Sequence, residues 1–266
     1  NLVKHGLSET DARQKIKYAQ IKHGFKIYTQ QSFVDKIFQI KKITTGSNML
    51  DDIINNGIES GTITEIFGPS GSGKTQICMQ LAANNLSNDT KQKTIYIDTE
   101  RGFHISRIIQ ICDSLNLNKN LILKNILYSK ENTVNGLINK LNKTEFFLQN
   151  NSVSLIIIDN IIGPFKAESD HFDSDLIRVS IHNIMSKLLN YIEKYNCAIV
   201  LSNRVYSIPD MLINNKISHF GGLTLSSYIH KQIYLKKQEE SIFYAKNTSS
   251  SKNTLFKINK NGVSDL

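Results

Sequence analysis

The chain has 266 residues, 32 of them basic and 23 acidic. That length is enough for one large α/β domain with a small addition, and no apolar run approaches the length of a membrane span. The net charge of +9 favours a polyanionic partner such as nucleic acid, or equally a solvated surface from a lysine- and asparagine-rich genome. Cys78, Cys112 and Cys197 are far apart in apolar contexts, which predicts no disulfide, no zinc site and a reducing, intracellular compartment.

The first 42 residues predict a short helical segment followed by a linker. Residues 1–22 are polar, and Ser8 is suited to cap a helix in which Asp11 could complete a capping box. Residues 23–42 have the pattern of a linker that contains a short amphipathic piece around Phe33. The main domain is therefore expected over residues 43–266.

A complete phosphate-binding loop follows the first predicted strand of this domain, at residues 62–67. The pattern G-x-x-x-x-G-K-[ST] is filled by Gly68, Pro69, Ser70, Gly71, Ser72, Gly73, Lys74 and Thr75. Glycines let backbone N–H groups turn toward phosphates, Lys74 supplies a positive charge, and the Thr75 hydroxyl suits Mg²⁺. A helix is predicted at 75–87, with its N-terminus facing the loop. An ordinary glycine-rich turn is the alternative, but these flanking elements favour binding of a nucleoside triphosphate.

Strands and helices alternate through the rest of the main domain. Further strands are predicted at residues 94–98, 123–128, 153–159 and 197–202. Helical patterns lie at residues 104–115, 133–149 and 176–195. This order predicts an α/β fold with a mainly parallel sheet that is covered by helices on both faces. After residue 228, an antiparallel extension of the sheet edge is predicted from strands at 229–236, 241–245 and 253–258.

Two of the predicted strands end in acidic residues. The apolar strand at 153–159 ends at Asp159, and in nucleotide hydrolases such a carboxylate lies beside Mg²⁺; the alternative is an aspartate that only terminates the strand. The strand at 94–98 ends at Asp98 and is followed by Glu100. Either carboxylate could accept a proton from an attacking water or orient it. We choose Glu100 for its longer side chain at the strand exit, and plain strand termination is an equal alternative.

Together these segments resemble the RecA/RadA family of DNA recombinases, in its archaeal and eukaryotic branch. The resemblance extends from about residue 2 to residue 265. It includes the segments that lead into and out of the phosphate loop and the strand that Glu100 follows. The matching motifs lie at 43–47, 50–51, 57–61, 64–68, 73–78, 96–100, 221–222 and 261–265. Phe103 and Arg107 match a following phenylalanine and an arginine that stacks on adenine.

The resemblance implies a RecA-like P-loop NTPase core that binds ATP and Mg²⁺ between neighbouring protomers. It assigns Glu100 as the catalytic base, with Lys74 as the second catalytic residue. Gln76 at the loop exit and Arg107 would contact the nucleotide, in addition to the loop itself. The metal ion would be held by Thr75 and Asp159.

The resemblance also implies binding of single-stranded DNA, without sequence preference, by two loops. The first loop, roughly residues 163–175, offers Lys166, with Arg178 beyond it, among several acidic residues, which is a poor mixture for phosphate binding. The second loop, from about residue 203 to 220, contributes basic and aromatic side chains suited to phosphate contact and base stacking. These are Arg204, Tyr206, Lys216 and His219. Residues 1–22 resemble the end of a helix-hairpin-helix DNA-binding domain.

Three features depart from the family pattern. Arg204 replaces the glutamine that senses the γ-phosphate; arginine accepts no hydrogen bond, although it could stabilise charge there. The linker's oligomerisation anchor, Phe-x-x-Ala, becomes Phe25 with Tyr28 in the place of the small residue, which predicts overpacking. Residues 244–249 lack the acid and the proline of the segment that caps a neighbour's ATP. We therefore expect a recombinase paralogue, similar to archaeal RadB or to eukaryotic accessory paralogues, that joins a main recombinase or oligomerises with itself.

The leading hypothesis is a slow, DNA-dependent ATPase that assists homologous recombination and DNA repair as a mediator. One alternative is a full RadA-type recombinase that exchanges strands in its own filament. Another is a non-catalytic interaction subunit for which ATP is structural, and a third is a KaiC-like signalling ATPase, which the lead-in and N-terminal motifs disfavour. The protein is expected in the cytoplasm if archaeal or in the nucleus if eukaryotic, without membrane association.

Overall fold

A sheet of nine strands forms the centre of the part of the chain that the structure describes. In this computed structural model the described residues are 40–87, 91–168, 174–205, 220–250 and 252–266, so the predicted N-terminal helical segment and most of the linker lie outside them. The described residues from Lys41 onward belong to one compact unit. Within it, β1 (Lys42–Ile43) and β2 (Ile58–Glu59) form a separate antiparallel pair.

The large sheet combines a parallel part with an antiparallel part. Its strands are β3 (Ile63–Gly68), β4 (Lys93–Asp98), β5 (Ile126–Lys130), β6 (Val153–Asp159), β7 (Ala198–Arg204), β8 (Lys231–Lys237), β9 (Ile242–Asn247), β10 (Asn253–Asn259) and β11 (Gly262–Ser264). Their spatial order is β11-β10-β9-β8-β3-β7-β6-β4-β5. The strands from β8 to β5 pair in parallel. Strands β9, β10 and β11 extend the sheet beyond β8 in antiparallel pairs.

Helices cover both faces of the parallel part. Among the described residues they are α1 (Asn48–Ile53), α2 (Lys74–Ser87), α3 (Ile105–Ser114), α4 (Lys119–Asn125), α5 (Val134–Asn150), α6 (Gly163–Ala167), α7 (Ser174–Tyr195) and α8 (Gly222–Ser226). Leu155 and Ile157 of β6 pack in one core with α2 and α3, whereas Ile156 and Ile158 pack in another with α5 and α7. Successive strand residues thus face opposite helical layers, and the predicted α/β fold with its antiparallel C-terminal strands is confirmed. None of the helices in the described ranges is long and apolar enough to cross a membrane.

The strand predicted at 123–128 begins too early. Residues 119–125 form α4, whose N-cap Asn118 accepts a hydrogen bond from the Leu121 N–H at 3.2 Å, and β5 starts only at Ile126. A short apolar run does not distinguish a buried helical turn from a strand, which explains the error. The sequence pattern also gives no signal for the short elements β11, α6 and α8.

Four parallel strands end side by side at one edge of the sheet. The register places Gly68 at the end of β3 opposite Arg204 at the end of β7. Farther along the same edge, Asp159 at the end of β6 lies opposite Asp98 at the end of β4. Ligands of open parallel sheets bind beyond the carboxyl ends of the strands, so the fold itself brings these four positions to one candidate site.

Residues far apart in the sequence meet at the start of α1. Ser47 caps this helix by accepting the Leu50 N–H at 3.1 Å, and its hydroxyl donates to the Asp265 carboxylate at 2.5 Å. Asp265 also accepts the Met49 N–H at 2.9 Å. The hydrogen bonds from Ser47 and Met49 hold the pKa of Asp265 below its ordinary value. The capping interaction therefore joins positions that are 218 residues apart.

Candidate nucleotide-binding site

The phosphate loop joins β3 to α2 in a conformation that depends on its glycines. Gly71 and Gly73 have φ angles of +76° and +91°, in the left-handed region that other residues rarely adopt. A Cβ at Gly73 would overlap the Ile258 side chain, whereas a Cβ at Gly71 would meet no atom within 4 Å. The loop is thus packed against β10 on one side and open on the other. Its open side leads into the N-terminus of α2, an arrangement that suits phosphate binding.

Lys74 is held inside the loop by neutral oxygen atoms. Its Nζ donates to the carbonyl oxygens of Gly68 and Pro69, at 2.9 and 2.7 Å, and to the Ser72 hydroxyl at 3.2 Å. The residue is only 8% exposed. Burial, followed by the positive charge of nearby Arg204, lowers the pKa of Lys74 to about 8. A bound phosphate would favour the charged ammonium, so the electrostatics of the loop fit an anion.

Asp159 ends β6 beneath the phosphate loop. It is 5% exposed, and its carboxylate accepts hydrogen bonds from the hydroxyls of Tyr96 (2.8 Å), Ser202 and Thr75. Burial raises the pKa of this carboxyl. A hydroxyl beside a carboxylate fits Mg²⁺, which takes oxygen ligands and keeps phosphate and water in its shell. Within the described ranges no cluster of three or more His, Cys, Asp or Glu side chains is suited to a metal, so an ion here would need phosphate oxygens as ligands.

Asp98 shapes the turn after β4 and does not face the site. It is fully buried, and its carboxylate accepts the backbone N–H groups of Glu100, Gly102 and Phe103 at 3.1–3.2 Å. The Tyr128 hydroxyl adds a fourth hydrogen bond at 3.1 Å. Four donors occupy both oxygens, which leaves this carboxylate poorly placed to accept a proton from water. Of the two acids considered from the sequence, Glu100 is the one whose carboxylate reaches the cavity.

Glu100 forms an ion pair with Arg204. The distance from Glu100 Oε2 to an Arg204 terminal nitrogen is 2.6 Å, and the two side chains are 27% and 33% exposed. Arg204 is the last residue of β7, and its backbone N–H donates to the Asn203 side chain at 2.8 Å. A short, charge-assisted and two-thirds buried contact is stronger than an ordinary surface ion pair. The contact joins two strand ends that are 104 residues apart.

Arg107 lies at the side of the loop, on α3. Its Nε donates to the Gln76 side chain at 2.7 Å, and its terminal nitrogens donate to the carbonyls of Asn259 and Lys260 at 2.6 and 2.8 Å. Burial lowers the pKa of this guanidinium. These bonds fix the plane of the group beside Gln76, which suits the stacking role that the resemblance implies.

A cavity of about 260 Å³ gathers most of the predicted nucleotide and metal residues. It is bounded by the phosphate loop, by the ends of β4, β6 and β7, and by β9; its lining residues are Ser70, Gly71, Gly73, Lys74, Thr75, Gln76, Glu100, Asp159, Asn160, Arg204 and Phe243. A larger cavity of about 640 Å³, around Asn84 and Ser152, has no carboxylate in its lining and lies away from the loop. The residues that the sequence predicts for nucleotide and metal binding are therefore concentrated around the smaller cavity.

Comparison with known proteins agrees with this geometry. A family model described as Rad51 matches residues 36–266. The chain belongs to the RecA/RadA recombinase family. It is 34% identical over 203 residues to the DNA repair and recombination protein RadA of Aeropyrum pernix, covering 74% of this chain and 64% of that protein. It is 31% identical over 238 residues to the protein of the same name from Metallosphaera sedula, covering 87% and 74%. The chain thus spans less than two thirds of the first of these relatives.

The predicted DNA contacts of this RecA/RadA family member are dispersed in the described part of the chain. Lys166 on α6 is exposed, and Arg178 on α7 is exposed and pairs with Asp175 at 3.4 Å. Arg204 lines the cavity beside the phosphate loop. The remaining predicted contacts and the two oligomerisation residues lie outside the described residues; these are Tyr206, Lys216, His219, Phe25 and Tyr28.

Three site residues have no clear signal in the sequence. Tyr96 and Ser202 hydrogen-bond to Asp159, and Phe243 lines the cavity from the antiparallel part of the sheet. Only the position of Ser202 near the end of a strand could have indicated its role. The others reach the site because strands that are distant in sequence are neighbours in the sheet.

Proposed function

We propose that this RecA/RadA family member is an ATPase that binds single-stranded DNA in homologous recombination and DNA repair, acting as a recombinase paralogue. The observation that carries the proposal is the cavity in which Lys74, the Thr75–Asp159 pair and Glu100 face the same space. These groups supply anion binding, a metal site and a general base, the combination that phosphoryl transfer to water requires.

In the proposed reaction, the loop and Lys74 hold the β- and γ-phosphates of ATP. Mg²⁺, held by Thr75 and Asp159, would neutralise charge on the phosphate oxygens. Glu100 accepts a proton from the attacking water as the water oxygen bonds to the γ-phosphorus and the bond to the bridging oxygen of ADP breaks. Asp98 positions Glu100 by fixing the backbone of its turn.

The proposed role in recombination rests on the family and on the basic charge of the chain, +9 overall. DNA contact is proposed for Lys166 and Arg178 after β6, for Arg204 at the end of β7, and for the basic and aromatic residues that follow it in the sequence. An accessory role is favoured over strand exchange because Arg204, at the place of the family's glutamine, is engaged with Glu100 at 2.6 Å. The partner would be a related recombinase or a further copy of the chain, in an intracellular compartment.

A second candidate function is that of a non-catalytic subunit that uses ATP as a structural ligand. The same 2.6 Å ion pair favours it, because the guanidinium occupies a carboxylate oxygen of Glu100 that an attacking water would otherwise approach. The two candidates differ in turnover and share nucleotide binding.

ATP hydrolysis measured with and without single-stranded DNA tests the proposal, with Glu100→Gln as the reference for background activity. We expect slow turnover that DNA stimulates and that Glu100→Gln removes. Turnover equal to that of Glu100→Gln under both conditions would leave only the structural role. Electron microscopy with ATP and DNA then separates an accessory protein from a recombinase that forms continuous filaments by itself.

A further inference from the structure

The ion pair between Arg204 and Glu100 links the proposed base to the phosphate loop. Sheet register places Arg204 directly opposite Gly68, the first residue of the loop. The sheet therefore fixes the backbone of Arg204 beside the phosphate loop. A terminal nitrogen of its guanidinium lies 2.6 Å from Glu100 Oε2. Lys74 lines the same cavity as these two side chains. Arg204 thus lines one cavity with the group that would bind phosphate and contacts the group that would accept a proton.

The other charged groups in the cavity have different partners. Lys74 bonds to neutral loop oxygens, and the Asp159 carboxylate accepts three hydroxyl groups. Glu100 is the acid that balances the charge of Arg204 in the described cavity. When a further anion enters beside Lys74, it competes with Glu100 for the same guanidinium. A phosphate oxygen is a strong competitor, because arginine binds phosphates with several parallel N–H groups.

We propose that Arg204 is a positioning residue that restrains Glu100 in the nucleotide-free site and exchanges this carboxylate for the terminal phosphate of ATP. The inference rests on the proposed function of the site. The exchange breaks one ion pair and forms another, and it leaves Glu100 free to accept a proton only when a γ-phosphate is present. A nucleoside diphosphate lacks that group, so Arg204 stays on Glu100.

This restraint gives the site a preference for triphosphate over diphosphate that depends on Arg204. Because the contact with phosphate replaces the contact with Glu100, Arg204 contributes only the difference between the two, which we expect to be about tenfold in affinity. Because ATP must first displace Glu100, removal of the carboxylate strengthens ATP binding when Arg204 is present. That dependence distinguishes an exchange from two independent contacts.

The experiment measures affinities for ADP and for the β,γ-imido analogue of ATP by calorimetry, in the presence of Mg²⁺. The proteins are the wild type, Arg204→Gln, Glu100→Gln and the double variant. Lys194→Gln is the matched control. It breaks another ion pair, in which Lys194 Nζ on α7 lies 3.2 Å from Glu145 Oε1 on α5, and neither residue lines the cavity. Thermal melting verifies that each variant folds, and Arg204→Lys replaces Arg204→Gln if the latter does not.

We expect Arg204→Gln to reduce the preference for the analogue over ADP about tenfold, with ADP affinity changed less than twofold. Glu100→Gln should raise analogue affinity at least threefold more in the wild-type background than in the Arg204→Gln background. Equal effects of Glu100→Gln in both backgrounds, or an unchanged preference in Arg204→Gln, overturn the inference.

Failure of the proposed function is recognised separately from failure of this inference. Lys74→Ala should abolish binding of both nucleotides, whether position 204 carries arginine or glutamine. If ADP binds the wild type and Lys74→Ala equally well, the cavity is not the nucleotide site and the proposed function falls. If Lys74→Ala weakens ADP binding but Arg204→Gln leaves the preference for the ATP analogue over ADP unchanged, only the exchange is refuted.

Discussion

The phosphate loop and the strand ends that face it are assembled in different ways. Within the loop, Lys74 bonds to residues no more than six positions away. At the strand ends, Glu100 meets Arg204 and Asp159 meets Ser202 across 104 and 43 residues. The proposed nucleotide binding would therefore depend on a local segment, whereas the groups proposed for catalysis are brought together by the packing of the sheet. Substitutions in the two regions should change different properties of the protein.

The largest effect is expected in the loop, from Lys74→Ala. It removes the ammonium that would face the phosphates, and we expect a loss of ATP affinity of about a hundredfold or more, with no measurable turnover. The fold should survive, since Lys74 carries a buried charge whose removal relieves desolvation. Calorimetry and melting temperature measure the two properties. Turnover close to that of the wild type would contradict the assignment of the whole site.

At the strand ends, Glu100→Gln should separate catalysis from binding. The amide cannot accept a proton, so hydrolysis should fall about 10²-fold, the usual scale for loss of a general base. ATP should still bind, because the loop is untouched. Single-turnover hydrolysis and nucleotide titration measure the two steps. Normal turnover in this variant would remove Glu100 from the mechanism.

Asp98→Asn makes the same chemical change two residues earlier and should destabilise the protein. One oxygen that now accepts N–H or O–H donors would become an NH₂ group facing a donor, which we expect to cost about 2 kcal/mol of unfolding free energy. Glu100→Gln should cost less, about 1 kcal/mol, because it removes the charge of the pair with Arg204 while its amide oxygen can still accept the hydrogen bond. Urea denaturation of both variants tests the contrast. Equal stability of the two would mean that Asp98 does not hold the turn.

Charge reversal tests which of the two strand ends, that of β6 or that of β7, leads into residues that bind DNA. Binding of single-stranded DNA should be blind to sequence and strongly salt-dependent. Reversal of Arg204, the last residue of β7, or of Lys216, later in the sequence, should weaken it several-fold more than reversal of Lys166, which follows β6. Fluorescence anisotropy over a range of salt concentrations measures the effect. Equal losses at all three positions would indicate diffuse surface charge.

The smallest effect is expected away from both regions, at the cap of α1. Because the folded-state pKa of Asp265 lies below its ordinary value of 3.8, its ionised form stabilises the fold above that value, and the contribution is lost as the pH falls through the lowered pKa. Asp265→Asn should cost about 0.5–1 kcal/mol at neutral pH, a modest value for a solvent-screened cap. The difference from the wild type should vanish in strong acid. If the difference in unfolding free energy between the two proteins were the same at every pH, the negative charge of Asp265 would not contribute to stability.

The sequence predicts the local parts of this protein well. The loop, its strand and its helix follow from residues 62–87, and the alternation of apolar runs predicts the parallel sheet. Helix α4 is missed because a short apolar run fits either type of element. The partners of Asp159 are missed for another reason: Tyr96 and Ser202 approach it only because β4 and β7 flank β6. Likewise, the role of Asp98 depends on the backbone of a turn, which the residue types alone do not specify.

The contact between Ser47 and Asp265 has a consequence for the order of folding. A ribosome adds roughly 5–20 residues per second, so the 218 positions between them take on the order of 10–40 s to synthesise. Until then α1 lacks the carboxylate at its N-terminus, and Gln80 of α2 lacks the Val263 N–H that it accepts at 3.3 Å. Contacts of such long sequence separation also form slowly, since a large loop must close first. The nascent chain is therefore expected to lack these contacts until β11 and Asp265 have been synthesised, however early the parallel strands pair.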